Sequence, residues 1–349
     1  MNGGIFHFKL LFYLSAARLP SIYFYFCKMR IIHRESTEPY FNIAAEEYLV
    51  KKLTSPCFML WQNTPTVVIG KHQNPLREVN LQFVNQHQIP IIRRISGGGT
   101  VYHDLGNINY SFIDMGKADS LVNFAKYSQP VLRLLNKLGI PAELSGKSDL
   151  CIHGKKFSGN ASHVYKNKVL HHGTLLFNSD LNILNESIKI KNHQITDKAV
   201  NSNRSTVTNI NDHLAVKVNL SAFKNLLTEE IKRMYPSAKE TILDKTEEAE
   251  IKLLAHEKYT RWEWNFGYSP KYEISSTLFY DDTKIKTNIL VVKGFIKEIK
   301  FAGPLPKDFI ESSQVLIGLQ HEYHSIHTKL KNHFSDTICQ SFLDLLFQS

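Results

Sequence analysis

The sequence has little cysteine: four in 349 residues, Cys27, Cys57, Cys151 and Cys339, with no CxxC pair among them. That spacing excludes a disulfide framework and a thiolate zinc site, and argues for a reducing compartment. An HExxH pattern, an internal repeat and a low-complexity tract are also missing. His171 and His172 are adjacent in a strand-like run, Val169 to Phe177, so their side chains leave opposite faces and cannot share a metal ion. Long apolar runs are absent as well. The richest, residues 5 to 27, is broken by Arg18 and Pro20, short of the roughly 20 residues that a membrane span needs. Acid is in deficit: 32 Asp and Glu against 42 Lys and Arg give a net charge of +10. Such a balance calls for a nucleotide, an acidic protein or a nucleic acid, and the scattered lysines weigh against the last.

What is present is enough for a folded protein. At 43% hydrophobic and 21% charged, the chain can bury a sizeable core, as one large domain or a large one with a small one. Met29 opens a strand-like Arg30-Ile31-Ile32. Residues 1–28 are therefore expected to be an upstream extension from a misplaced start codon, with a targeting presequence as the alternative.

The chain is organised around Arg93-Arg94-Ile95-Ser96-Gly97-Gly98-Gly99-Thr100-Val101-Tyr102-His103-Asp104, between the β-branched runs Ile89 to Ile92 and Ile108 to Ile113. Three successive glycines let backbone approach a ligand and free N–H groups for an anion. Two arginines can meet phosphate or carboxylate oxygens in bidentate fashion. Thr-Val-Tyr follows the glycines, so this is neither a P-loop nor a dinucleotide fingerprint.

Elsewhere, Asn42 reads as a helix cap before Ile43 to Leu53, which carries Glu46 and Glu47. Helices are expected over Val79 to Gln86, Leu121 to Leu138, Val216 to Met234 and Glu247 to Tyr259. Asn107 to Phe112 alternates as a half-buried strand, from which Asn107 or Asn109 could reach a ligand. Ser148 to Ile152 is a strand, His153-Gly154 a turn, and Lys155 and Lys156 leave the next strand on opposite faces. Residues 185 to 212 form a long polar stretch of the kind that is functional or disordered. After an aromatic, Pro/Gly-containing stretch at Arg261 to Pro270, three strands and three helices suggest a small α+β accessory domain.

Several stretches together resemble the lipoate–protein ligase A family. They are Phe41 to Glu47, Gly70 to Pro75, the Arg94-Ser96-Gly97-Gly98-Gly99-His103-Asp104 signature, Gly154 to Ala161, His171-His172-Gly173 and Asn203 to Asn209. The resemblance runs over most of residues 29 to about 270. It departs from the family at Lys147-Ser148-Asp149-Leu150, where Ser148 stands in place of asparagine.

The resemblance implies an α+β, mixed-sheet, biotin/lipoate ligase-like catalytic domain over 29–262 and an accessory domain over 263–349. It implies activation of lipoate by ATP to lipoyl-AMP, then transfer to a carrier lysine. Lys156 takes the place of the essential lysine. The adenylate site would comprise Arg94, Ser96, Gly97, Gly98, Gly99, Val101, His103, Asn107, Asp149, Gly159, Ala161, His172 and Gly173, with Arg204 a weaker candidate. Ile69, Val101 and Leu175 would line an acyl tunnel. Mg²⁺ would accompany ATP, held mainly by its phosphates, with protein ligands unassigned. The implied carriers are lipoyl domains of 2-oxoacid dehydrogenase E2 subunits and the glycine cleavage H protein, with neither nucleic acid nor membrane as partner and a monomeric, cytoplasmic enzyme. The mitochondrial matrix is the alternative if residues 1–28 are a presequence.

The chemistry explains the need for activation. A carrier lysine with its pKa near 10.4 costs about 4.6 kcal/mol to deprotonate at pH 7, so the acyl group must leave easily. Rival readings are an octanoyltransferase with a cysteine nucleophile, a transferase using preformed lipoyl-AMP, and a basic nucleic-acid or scaffold-binding protein. Cys151 lies in an apolar strand, where cysteines are usually inert. Cys151→Ser is therefore expected to keep near wild-type lipoylation rates, measured by mass change of a carrier; loss of activity would favour the octanoyltransferase.

Overall fold

A computed structural model describes residues 29–116, 121–188, 195–203, 205–280, 283–305 and 307–347; the N-terminal extension and Arg204 lie outside them. Fifteen strands occur in the described residues: β1 Arg30–His33, β2 Cys57–Trp61, β3 Thr66–Ile69, β4 Ile91–Arg93, β5 Val101–His103, β6 Asn107–Met115, β7 Ala142–Ser145, β8 Asp149–Ile152, β9 Lys155–Tyr165, β10 Lys168–Leu176, β11 Ile195–Asp197, β12 Lys239–Thr241, β13 Tyr272–Tyr280, β14 Thr283–Val292 and β15 Phe295–Ala302. The main sheet has the order β12-β1-β2-β6-β10-β9-β8-β7. It is parallel across β12, β1 and β2 and antiparallel beyond, a mixed sheet as expected. A small sheet β4-β3-β5 carries the glycine loop, and a third sheet has the order β11-β13-β14-β15.

The helices are α1 Pro39–Lys52, α2 Pro75–Glu78, α3 Leu81–Gln86, α4 Phe124–Lys137, α5 Leu181–Ser187, α6 Leu220–Met234, α7 Lys245–Leu254, α8 Lys307–Leu316, α9 Tyr323–Lys331 and α10 Asp336–Phe347. None among the described residues is long and apolar enough to cross a membrane. Both faces of the main sheet are covered, which explains its continuous apolar strands. Phe58 and Leu60 pack with Phe223, Leu227, Val131 and Leu134 of α6 and α4. Cys57, Met59 and Trp61 face the other way, against α1, α7 and Val68 and Ile92 of the small sheet.

Asparagines set the helix starts, and here the sequence reading needs correction. Asn74, Asn80, Asn123 and Asn219 each accept a backbone N–H at the start of α2, α3, α4 and α6. The expected Val79 to Gln86 helix thus begins only at Leu81, after the separate short α2 has ended at Glu78, and α4 and α6 also start later than periodicity suggests. Asn42 is not a cap. Glu38 caps α1 through the N–H groups of Tyr40 and Phe41, and Pro39 begins the helix with a fixed φ. Asn42 is buried inside α1, donating to Ser36 O, Gln62 O and Asn63 Oδ1.

The polar stretch 185–212 also holds more than a loop. Ile195, Thr196 and Asp197 pair antiparallel with Ile274, Glu273 and Tyr272, adding an edge strand to the third sheet. Asp197 in turn accepts from Arg77 at 2.7 Å and Asn74 at 3.1 Å.

Arg93 does not face an anion. It is fully buried, and its guanidinium donates to the carbonyls of Gly70, Lys71, Gln73, Trp264 and Asn265 and to Ser269 Oγ. The aromatic stretch after α7 is thereby tied to the turn after β3. Arg93→Met would leave those carbonyls buried and unpaired, and is expected to lower unfolding free energy by about 3 kcal/mol in urea titration. Arg93→Lys should recover only part of this, because an ammonium offers three donors and no planar fork.

Candidate active site

The glycine loop leaves β4 and returns as β5 on the other side of β3. This crossing brings it over the turn at Gly70, so closely that a Cβ on Gly70 would lie 2.1 Å from the Gly98 carbonyl oxygen. Gly98 takes φ +84°, a conformation that suits glycine. Gln73 ties the two turns: its Oε1 accepts from Gly70 N and Thr100 Oγ1, at 2.8 and 3.0 Å. Its Nε2 donates to Ser202 Oγ, which also accepts the Thr100 N–H at 2.9 Å. The turn Gly70 to Pro75 lines neither of the cavities described below; it is scaffold for the glycine loop.

Arg94 points opposite to Arg93. Its Nε donates to Ser96 Oγ, Nη1 to Val68 O, and Nη2 to Gly97 O and Gly99 O at 2.6 and 2.7 Å. Burial lowers its pKa to about 10, with Glu46 opposing the shift, so it stays protonated at neutral pH. The expectation of a freely pairing arginine is therefore revised. Arg94 lines the cavity, but most of its donors already hold the loop.

A cavity of ≈ 670 Å³ opens beside this loop. Of the residues singled out from sequence, Arg94, Gly98, Gly99, Val101, His103 and Asp149 line it, and so do Lys156, Gly159, Ala161, His172 and Gly173. Ser96, Gly97 and Asn107 do not. Ser96 is fully buried behind the loop, and Asn107 spends its amide on Asn109 Oδ1. Of the two asparagines left open by the alternation, Asn109 faces the cavity. The apolar wall is Ile43, Trp61, Val68 and Val101; the expected Ile69 and Leu175 sit one residue out of phase and fill the core instead. A second cavity of ≈ 760 Å³ shares Thr100, Val101, Lys156 and Gly159 with the first.

Lys156 reaches the cavity through a bulge. Leu150 pairs with Ser158 and Cys151 with Lys156, leaving Phe157 as the extra residue. The bulge shifts the alternation so that Lys156 and Gly159 share a face. The ammonium lies 3.2 Å from where a Gly159 Cβ would stand, and 2.9 Å from Asp149 Oδ1. That ion pair is part exposed and worth about 0–1 kcal/mol, so an arriving phosphate can displace the carboxylate. Lys155 points to solvent. Backbone bonds from Lys156 to Thr206 and Thr208 lay the 205–208 segment alongside.

Two histidines face this region neutrally or through a carboxylate. His103 has its pKa pushed down to about 3 by burial, then by Arg94 and His172, so its Nδ1 accepts from Asn63 Nδ2 at 3.1 Å. His172 Nδ1 meets both oxygens of Glu46, at 2.8 and 2.9 Å. His171 turns away to Ser162 and the ring of Tyr127. Cys151 is buried outside both cavities, and burial raises its thiol pKa, the reverse of an activated nucleophile.

Sequence reasoning passed over Glu46, Trp61, Asn160 and Ser202 as cavity residues. Glu46 had a signal: it shares a helix face with Ile43 and Val50, a carboxylate on an otherwise apolar stripe. Ser202 had none, since its place depends on the β11 excursion.

A mixed sheet with a glycine loop facing a hairpin lysine across one cavity belongs with the ligases that activate a cofactor acid. The profile of the lipoyl protein ligase A/B catalytic domain matches residues 38–232. A lipoate-protein ligase of Bacillus subtilis is 35% identical over 91% of this chain and 99% of its own length. Lipoate–protein ligase 1 of Staphylococcus aureus is 34% identical over 87% of this chain and 93% of its own. Among solved structures, a lipoate-protein ligase A bound with ATP is 26% identical, covers 69% of this chain and 99% of its own, and superposes with a TM-score of 0.58. A bipartite ligase of Thermoplasma acidophilum, described with its E2 lipoyl domain, is 24% identical over 69% of this chain and 96% of its own, with a TM-score of 0.60. The chain belongs to the lipoyl protein ligase A/B family.

The Gly70 contact gives a sharp test of the loop geometry. Gly70→Ala must displace the Gly98 carbonyl, and is expected to weaken ATP binding by at least about tenfold in calorimetry while far-UV circular dichroism is unchanged. Wild-type affinity in that variant would mean the loop is not held by this contact.

Proposed function

We infer that this enzyme is a lipoate–protein ligase, and propose that it uses ATP to make lipoyl-AMP and passes the lipoyl group to a carrier lysine. The observation that supports this most is the meeting of the Lys156 ammonium and the Gly98–Gly99 backbone at one cavity with an apolar wall. The acyl chain lies against Ile43, Trp61 and Val68. The α-phosphate sits at the glycine loop, with Lys156 leaving Asp149 to bond it. As negative charge gathers on the departing pyrophosphate and then on AMP, Lys156 and Arg94 stabilise it; a unit charge pair at ~4 Å in a partly screened site is worth about 4 kcal/mol. The buried wall keeps water from the mixed anhydride.

Mg²⁺ would be held mainly by the ATP phosphates, with Asp149 the carboxylate beside them. Such an ion commonly takes one or two carboxylates plus substrate oxygens, and would supply charge neutralisation on the triphosphate. Among the described residues there is no cluster of three or more metal-ligating side chains. The proposed carriers are the lipoyl domains of E2 subunits and the H protein, met by a monomer. We also propose a boundary near residue 262 between catalytic and accessory parts, bridged by β11.

The decisive experiment incubates the protein with lipoate, Mg-ATP and a lipoyl domain, and follows carrier mass and pyrophosphate release. Both signals are expected, and Lys156→Ala should lower the rate by at least about 100-fold with the fold retained. Carrier modification only from added lipoyl-AMP would reassign the protein as a transferase; wild-type rates in Lys156→Ala would overturn the site.

A further inference from the structure

Behind the glycine loop runs an unbroken line of buried hydrogen bonds. Trp61 Nε1 donates to Ser111 Oγ at 2.9 Å, and Ser111 Oγ donates to Glu46 Oε1 at 2.6 Å. His172 Nδ1 meets Glu46, and His172 Nε2 lies 2.6 Å from Ser96 Oγ. Ser96 Oγ accepts Arg94 Nε–H at 2.9 Å, and Arg94 Nη2 holds the carbonyls of Gly97 and Gly99. Glu46, Ser96 and Ser111 are at most 1% exposed.

The direction of each bond follows from the chemistry. A carboxylate only accepts, so His172 Nδ1 carries a proton toward Glu46, and in the neutral imidazole Nε2 is then the acceptor. Ser96 then donates to Nε2, which turns its lone pairs toward Arg94. Held there, Arg94 draws the Gly97 and Gly99 carbonyls to itself. In a planar trans peptide the next N–H points the opposite way, so the Gly98 N–H is turned from the guanidinium. The Thr100 N–H, following Gly99, is already spent on Ser202.

We propose that Ser96 is a positioning residue for adenylation. Oriented by the Glu46–His172 pair, it acts through Arg94 to set the glycine loop for the α-phosphate, although it lines neither cavity itself. The proposal rests on the ligase reading and adds a division of labour to it: two polar residues lining the cavity, Glu46 and His172, determine how well the nucleotide is held.

The test is pyrophosphate release with lipoate and Mg-ATP, varying each substrate in turn. If the wild-type protein releases none, the ligase reading fails, not this inference. With an active wild type, Ser96→Ala should lower kcat/KM for ATP about 10–100-fold, the size of one hydrogen bond to a charged group, while KM for lipoate stays within about twofold. Ser96→Thr keeps the hydroxyl and should restore most of the loss. An unchanged kcat/KM for ATP, equal losses for both substrates, or no rescue by threonine with the melting temperature preserved would overturn the proposal. Should Ser96→Ala not fold, His172→Gln and His172→Asn decide. The glutamine amide reaches toward Ser96 as Nε2 does, whereas the asparagine amide replaces only Nδ1. Glutamine should retain roughly tenfold more kcat/KM for ATP than asparagine; equal values would sink the relay.

Discussion

Two buried arginines in sequence hold this protein together, and among the described residues neither has a carboxylate in direct contact. They leave the end of one strand in opposite directions. Each spreads its charge over backbone carbonyls that curve around it, Arg93 over those of Gly70, Lys71, Gln73, Trp264 and Asn265, and Arg94 over those of Val68, Gly97 and Gly99. Taking a guanidinium out of water is costly, and dipoles fixed by the fold are what offset it. Burial pulls both pKa values down to about 10, which still leaves both charged at neutral pH. In the proposed reaction, substrate phosphate would thus enter a site whose positive charge and backbone are set beforehand, with little reorganisation needed.

The second organising device is the bulge at Phe157. A regular hairpin would send every second residue of β9 to one face, and Lys156 would then sit with Ser158 rather than Gly159. One extra residue reverses the phase, and the space left by the missing Gly159 side chain is where the ammonium rests. The same economy appears at Gly70, where an absent Cβ admits a carbonyl. Glycine in this protein serves close approach as much as turning.

These details mark the limit of what the chain discloses by itself. The glycine loop, the lysine hairpin, the opposite facing of His171 and His172, and the strands and helices after residue 270 were readable, because each depends on local pattern or on a contiguous motif. Lys155 and Lys156 could not be separated by local pattern, and it was the family resemblance that chose Lys156. The partners of Arg93 and Arg94 were not readable, since arginine before glycines looks the same whether it waits for phosphate or braces the loop. Helix starts were misjudged where asparagine was ambiguous: Asn80 and Asn123 cap, Asn42 does not, and only tertiary contacts to Ser36 and Gln62 separate the cases. Ile69 and Leu175 were assigned to the acyl wall for their character, and strand phase turned their neighbours Val68 and Thr174 to the cavity instead.

The strand at Ile195–Asp197 carries a consequence for how the molecule is made. Its partner in the third sheet, Ile274, is roughly 80 residues further along the chain. On a ribosome adding about 5–20 residues per second, the earlier strand emerges on the order of ten seconds before anything can pair with it. Residues 201–203, which close over the cavity, follow that strand directly. Ser202 is also bonded to Gln73 and Thr100, made long before it, so this edge of the cavity is tied at once to the earliest part of the chain and to a strand whose partner is made late.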